Sequence, residues 1–148
     1  YAMDYSSTGI ELLNKKALPK GLIIKSQVFD IKRPLPFPDS YFDAVYSHMV
    51  LNMRFSKGEL HSIFSEIRRV LKPQGLNFFS VRNNHDKVYG KGVEIEDGVY
   101  NINGFEIRFF SEKEIDELVS KENFKKLWIY EENEEPVTLY IVATLKGK

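Results

Sequence analysis

The sequence predicts an α/β fold: an open, mainly parallel sheet with helices on its faces and an antiparallel hairpin at its C-terminal end. Three observations predict it. Short apolar runs alternate with segments of helical period along most of the chain, and that alternation implies crossover connections and a buried parallel sheet. Two S-x-x-E capping boxes, Ser56 with Glu59 and Ser111 with Glu114, mark helix starts. The last two strand-like runs are joined by a turn too short for a crossover, so they pair as a hairpin.

The elements follow in order. Tyr1 to Met3 reads as the tail of a strand ending at Asp4. In "SSTGIELLNKKALPKG", Ser6 or a neighbour caps a helix with Ile10, Leu13 and Ala17 on one face, and Pro19 and Gly21 stop it. "LIIKSQVF" is a strand ending at Asp30. A loop with Pro34, Pro36 and Pro38 leads into "FDAVYSHMVL", a strand from about Phe42 to Ser47 with Phe42, Ala44 and Val45 expected in the buried sheet. The clearest helix carries Leu60, Ile63, Phe64, Ile67, Val70 and Leu71 at helical spacing, with His61 expected on its exposed side. Pro73 and Gly75 end it in the turn Lys72-Pro73-Gln74-Gly75, and "LNFFSVR" is the next strand. Residues Asn83 to Asn103 read as irregular. A helix through Ile115, Leu118 and Val119 follows, then "FKKLWIYEE" and "VTLYIVATL" around the acidic turn "ENEEP".

Composition sets limits. At 148 residues the chain reads as one domain, 1–148, long enough to bury a core. Formal net charge is zero, which gives no sign of a nucleic-acid or membrane partner. No apolar run approaches the roughly 18 residues of a membrane span. The absence of cysteine excludes disulfides, thiolate metal sites and a cysteine nucleophile, and it fits a reducing, cytoplasmic compartment. No spacing marks a metal site or a Ser-His-Asp arrangement.

Chemistry concentrates at the strand ends. Open α/β sheets bind ligands outside the carboxyl ends of their strands. Asp4 and Asp30 stand at two such ends. There an acid is suited to accept hydrogen bonds from ribose hydroxyls or from an adenine amino group, although Asp also opens turns and caps helices. Fixed φ at the three prolines lowers the entropy of the free loop, which with the strand ends forms one wall of a nucleotide-type pocket; a plain tight crossover is the alternative. His48 follows a strand, Arg82 ends the next, and Asn83, His85 and Tyr89 lie just beyond. Arg82 is suited to an anionic substrate or to a surface salt bridge. Tyr100, Phe105, Phe109 and Phe110 line a substrate lid or belong to the core.

These pieces resemble a class I S-adenosylmethionine-dependent methyltransferase. The resemblance is carried by "YAMDYS", by "DIKRPLPFPDSYFDAVYSH" and by "EIRRVLKPQGLNFFSVRN". It covers about the whole chain, and the "LPFPDSYFDAVYS…LKPQG" combination is specific. It implies a Rossmann-like sheet, S-adenosylmethionine as cofactor and methyl transfer to an acceptor. Carried over residue by residue, Asp4 binds the ribose diol and Tyr5 borders the adenine. Asp30 meets the adenine amino group with Ile31 beside the ring, and Ser47 and His48 line the methionine end. Arg82, Asn83, His85 and Tyr89 fall on the acceptor side, with His48 the catalytic candidate. The stretch "VRNNHDKVYGKG…YNINGFEIRFF" also resembles a small-molecule, tellurite-resistance-like branch, which implies a small-molecule acceptor.

One departure is large. The family places a first strand and a G-x-G-x-G loop ahead of the position of Asp4, whereas this sequence begins three residues before it. The expectation is therefore a partial domain, truncated at the N-terminus, that lacks a central strand and half the cofactor site. Weak cofactor binding and a homo-oligomer through the incomplete sheet would follow. A non-catalytic methyltransferase-like domain serving in self-association is the alternative. A nicotinamide-dependent oxidoreductase shares the sheet and the ribose acid but has no need of "LPFPDSYFDAVYS".

Overall fold

The computed structural model describes residues 1–134 and 136–147. They fall into two compact units, Tyr1–Leu35 and Pro36–Lys148.

The first unit holds β1 (Ala2–Asp4), α1 (Ser7–Ala17) and β2 (Ser26–Val28). β1 and β2 pair in parallel, Ala2 opposite Ser26 and Asp4 opposite Val28. Ser6 caps α1, its hydroxyl accepting the Gly9 N–H at 3.1 Å. After the turn through Pro19, Gly21 takes the left-handed φ of 64° that lets the chain reverse. β2 starts four residues later than the apolar run "LIIK" predicts. A strand needs a partner ladder, and β1 supplies only three residues; Ile23, in the unpaired stretch, is 97% exposed.

The second unit contains β3 (Phe42–His48), α2 (Lys57–Val70), β4 (Leu71–Arg82), β5 (Val93–Glu96), β6 (Val99–Ile102), β7 (Phe105–Arg108), α3 (Glu112–Lys121), β8 (Phe124–Glu134) and β9 (Val137–Lys146). Its main sheet has the order β3-β4-β9-β8. β3 and β4 are parallel, whereas β9 is antiparallel to both β4 and β8. The sheet is thus mixed, where the sequence predicts a mainly parallel one: the C-terminal hairpin enters beside β4 and brings two antiparallel ladders with it. The hairpin itself is as expected. Of its acidic turn, Glu135 lies outside the described residues, and Glu134 pairs with Val137.

The predicted apolar stripe of α2 is buried, as are Ile115, Leu118 and Val119 of α3. Phe64 meets the rings of Phe79 and Phe124 edge-on at 5.3 and 6.1 Å. His61 is not on an exposed face: its side chain is 26% exposed and its Nδ1 lies 2.9 Å from Glu122. β3 is also less buried than expected. Ala44 is exposed and Tyr46 is 66% exposed, because in this sheet β3 is a terminal strand. The turn after α2 is present but carried inside β4 as a bulge. Phe42 stands opposite Leu71 and Ala44 opposite Leu76, with Gln74 at φ 62°. The loop at Phe37–Tyr41 is tied to the end of α2, where Arg69 donates to the Phe37 carbonyl at 2.8 Å and to Asp39 at 2.9 Å.

The stretch expected to be irregular is partly a second sheet. β5, β6 and β7 form a three-stranded antiparallel meander, with Asn103 and Gly104 at the β6–β7 turn. Both have positive φ, 52° and 87°, the geometry that an Asn-Gly hairpin turn requires.

Candidate functional site

In the first unit both strand-end acids are placed by backbone pairing. The Phe29 N–H donates to the Asp4 carbonyl at 2.8 Å, so Asp30 follows at the same end of the parallel pair as Asp4. Each carboxylate has one oxygen fixed by its own loop: Asp4 Oδ1 accepts the Ser6 N–H at 2.8 Å, and Asp30 Oδ1 accepts the Lys32 N–H at 3.0 Å. Among the described residues no donor meets the second oxygen of either. Space over Asp4 is kept by Gly9, where a Cβ would stand 3.2 Å from Asp4 Cγ and Oδ2. Tyr5, next in the chain, is 68% exposed, and Ile31 is half-buried. An acid with one oxygen held and the other open is what a vicinal diol or an exocyclic amino group needs as an acceptor, so these residues fit the nucleoside part of S-adenosylmethionine.

In the second unit the ends of the parallel pair β3 and β4 converge on a buried hydroxyl. Ser47 is buried and His48 exposed. His48 Nδ1 lies 2.7 Å from Ser80 Oγ, which also accepts the Met49 N–H at 3.2 Å. Met49 holds a φ of 55°, a conformation that costs a non-glycine residue of the order of 1–2 kcal/mol. The turn that follows buries Leu51 and Asn52. Asn52 donates to the Arg108 carbonyl at 2.7 Å and accepts the Arg82 N–H at 3.1 Å, tying this turn to β4 and β7.

Arg82 is held from two sides. Its guanidinium donates to both carboxylate oxygens of Asp86, at 2.9 Å each, and stacks 5.3 Å from the Phe109 ring centroid. The guanidinium is thereby tied to the loop beyond β4. Asp86 also accepts the N–H groups of Val88 and Thr138, both at 3.0 Å. Burial pushes the Asp86 carboxyl up, but the Arg82 hydrogen bonds, these two N–H groups and the Arg82 charge outweigh it and hold it below the usual carboxylate range.

Asn83 is fully buried. Its amide donates to Glu131 Oε2 at 3.0 Å, and its Oδ1 accepts the His85 N–H at 3.0 Å. His85 Nδ1 lies 2.6 Å from the same Glu131 oxygen. Tyr89 packs edge-on against Tyr100 and Phe109, at 5.4 and 5.6 Å. Burial, followed by the hydrogen bond between Tyr100 and Tyr89, pushes the Tyr100 phenol up to about 12. Of the four aromatics placed in lid or core, Tyr100, Phe109 and Phe110 are core and Phe105 is 73% exposed.

The structure thus brings Asp4 and Asp30 to one strand end of the first unit. In the second it gathers Asn83 and His85 around Glu131 and sets His48 against Ser80, while Ser47 stands opposite Phe79 in the ladder. Ser80, Asn52, Asp86 and Glu131 escaped the sequence. Ser80, Asn52 and Glu131 act through partners that no short spacing marks, and Ser80 and Glu131 lie inside strand patterns; Asp86 stands four residues from Arg82, in a stretch that reads as irregular. Among the described residues no helix is long and apolar enough to cross a membrane.

A profile described as a methyltransferase domain matches residues 1–79. No curated protein matches the chain. Among solved structures, an S-adenosylmethionine-dependent methyltransferase from Methanosarcina mazei superposes with a TM-score of 0.82 at 24% identity, over 99% of this chain and 82% of that one. One from Clostridium acetobutylicum gives 0.77 at 14%, over 99% and 74%. The 1,6-didemethyltoxoflavin-N1-methyltransferase of Burkholderia thailandensis, with bound 1,6-didemethyltoxoflavin and S-adenosylhomocysteine, gives 0.73 at 14%, over 99% and 60%.

Proposed function

Because the chain belongs to the methyltransferase-domain family, we propose that it transfers a methyl group from S-adenosylmethionine to a small-molecule acceptor. The cofactor, when bound, supplies a methyl group already activated by its sulfonium. The chain's own task is to bind, align and exclude water. In the first unit Asp4 takes the ribose hydroxyls with Tyr5 beside the adenine, and Asp30 takes the adenine amino group with Ile31 against the ring. In the second unit Ser47 and His48 line the methionine end. Asn83, His85 and Tyr89 form the acceptor side, with Arg82 holding their loop through Asp86. The Burkholderia thailandensis neighbour, which holds 1,6-didemethyltoxoflavin, supports a small acceptor, as does the aromatic cluster of Tyr89, Tyr100 and Phe109. These acceptor-side residues lie beyond the 1–79 match, where substrate choice is free to differ from relatives that share the cofactor.

The observation that carries the reading is the pair of strand-end carboxylates, each with one oxygen held by its own loop and one open. Calorimetric titration with S-adenosylhomocysteine tests it. Asp4→Ala and Asp30→Ala are each expected to weaken binding by about 1–3 kcal/mol, the cost of a donor left unpaired. Equal affinity in either variant and the parent removes that acid from the site.

A further inference from the structure

We propose that His48 and His85 hold opposite tautomers, fixed by Ser80 and Glu131, so that His85 offers a proton-accepting nitrogen and His48 a hydrogen-bond donor. Their use on an acceptor rests on the methyl-transfer reading above. The tautomers themselves are properties of the free protein.

Ser80 decides the first. It is 2% exposed, and its hydroxyl has one proton to give and lone pairs to accept with. The Oγ accepts the Met49 N–H. For its own proton, the hydrogen bonds of the described residues give one acceptor, His48 Nδ1 at 2.7 Å. Were Nδ1 protonated, a buried hydroxyl proton would be left unpaired, which folded proteins avoid. The consistent assignment is Ser80 donating to Nδ1, and neutral His48 then carries its proton on Nε2.

Glu131 decides the second. An ionised carboxylate accepts and cannot donate, so the 2.6 Å contact to His85 Nδ1 is an N–H donated to Oε2. Asn83 fixes both partners, donating to that oxygen and accepting the His85 backbone N–H. Neutral His85 is left with the lone pair on Nε2. His61 makes the same kind of contact with Glu122, at 2.9 Å, and serves as an internal reference.

The roles divide accordingly. A proton leaving an acceptor hydroxyl or amine goes to His85 Nε2, with Glu131 the positioning residue. His48, the catalytic candidate by sequence, instead presents an N–H suited to a carboxylate or carbonyl oxygen, with Ser80 the positioning residue.

The test is long-range proton–nitrogen correlation of the imidazoles in the nitrogen-labelled chain, without ligand, at a pH where all three spectra are those of neutral rings. The expected result is Nδ1–H for His61 and His85 and Nε2–H for His48. Ser80→Ala turns His48 into a mixture and leaves the other two unchanged, and Ser80→Thr restores the parent form. Glu131→Ala releases His85 alone. An Nδ1–H form of His48, an Nε2–H form of His85, or a His48 signal indifferent to Ser80→Ala overturns the proposal. The parent spectrum decides even where a variant does not fold. S-adenosylhomocysteine calorimetry on the same sample questions the cofactor reading separately. Absence of binding beside the expected tautomers would sink that reading and leave the tautomer assignment supported.

Discussion

Asp86 holds a charge where its side chain has no exposure to water, and its bonds to Arg82, Val88 and Thr138 join the loop beyond β4 to the start of β9. Removing one partner of a buried pair leaves the other charge uncompensated, so Asp86→Ala is expected to cost about 3–5 kcal/mol in urea unfolding. The pH dependence has a fixed sign. The folded carboxyl lies below its usual value, so the unfolded chain takes up the proton first. The contribution is complete above the unfolded pKa of about 3.9 and is lost as pH falls through the folded value. Stability curves from neutral to acid pH should be shallower in the variant, and an unchanged acid limb would show that Asp86 is not the group responsible. Tyr100 works in the opposite range. Its phenol is pushed up to about 12, so the unfolded chain loses its proton first, near pH 10. Stability falls as pH rises from there, and Tyr100→Phe should remove that part of the alkaline loss in the same assay.

Both capping boxes are complete: the Ser56 and Ser111 hydroxyls accept the N–H groups of Glu59 and Glu114, and each glutamate returns a bond to the cap N–H. Ser111→Ala should therefore cost about 1 kcal/mol, read as a lower Tm in calorimetry; an unchanged Tm would mean that packing of Ile115 and Leu118 alone sets the start of α3. These helices were legible in the sequence because cap and apolar stripe are local patterns. The β6–β7 hairpin was not read from the sequence: Asn103-Gly104 is a turn signal, but the glycine- and asparagine-rich surroundings masked it. Strand order was not legible. Whether β9 lies beside β4 is settled by side-chain packing between residues such as Phe79 and Val142, more than sixty positions apart in the chain and opposite each other in the ladder. The site divides in the same way. Asp4 and Asp30 declare themselves by ending strands, whereas Glu131 and Ser80 matter through partners that are distant in sequence.

Across the whole chain, acidic and basic residues balance at 21 each, and the isoelectric point is near 7.0. Without net charge, like molecules do not repel. The main sheet adds a reason for contact, because register places Tyr46, Phe78 and Trp128 in one row and His48, Ser80 and Tyr130 in the next on a single face. Tyr46 and Tyr130 there are 66% and 59% exposed. Light scattering at fixed ionic strength should give the largest apparent mass near pH 7, falling on either side. A flat profile would show that this face does not promote association. The same face has an optical consequence. Trp128 is the chain's single tryptophan, 46% exposed, with its ring centroid 6.4 Å from that of Phe78. Intrinsic fluorescence from the indole therefore samples one side of one sheet. Covering that side should shift the emission to the blue and shield it from a dissolved quencher, while repacking around α2 and α3 passes almost unseen.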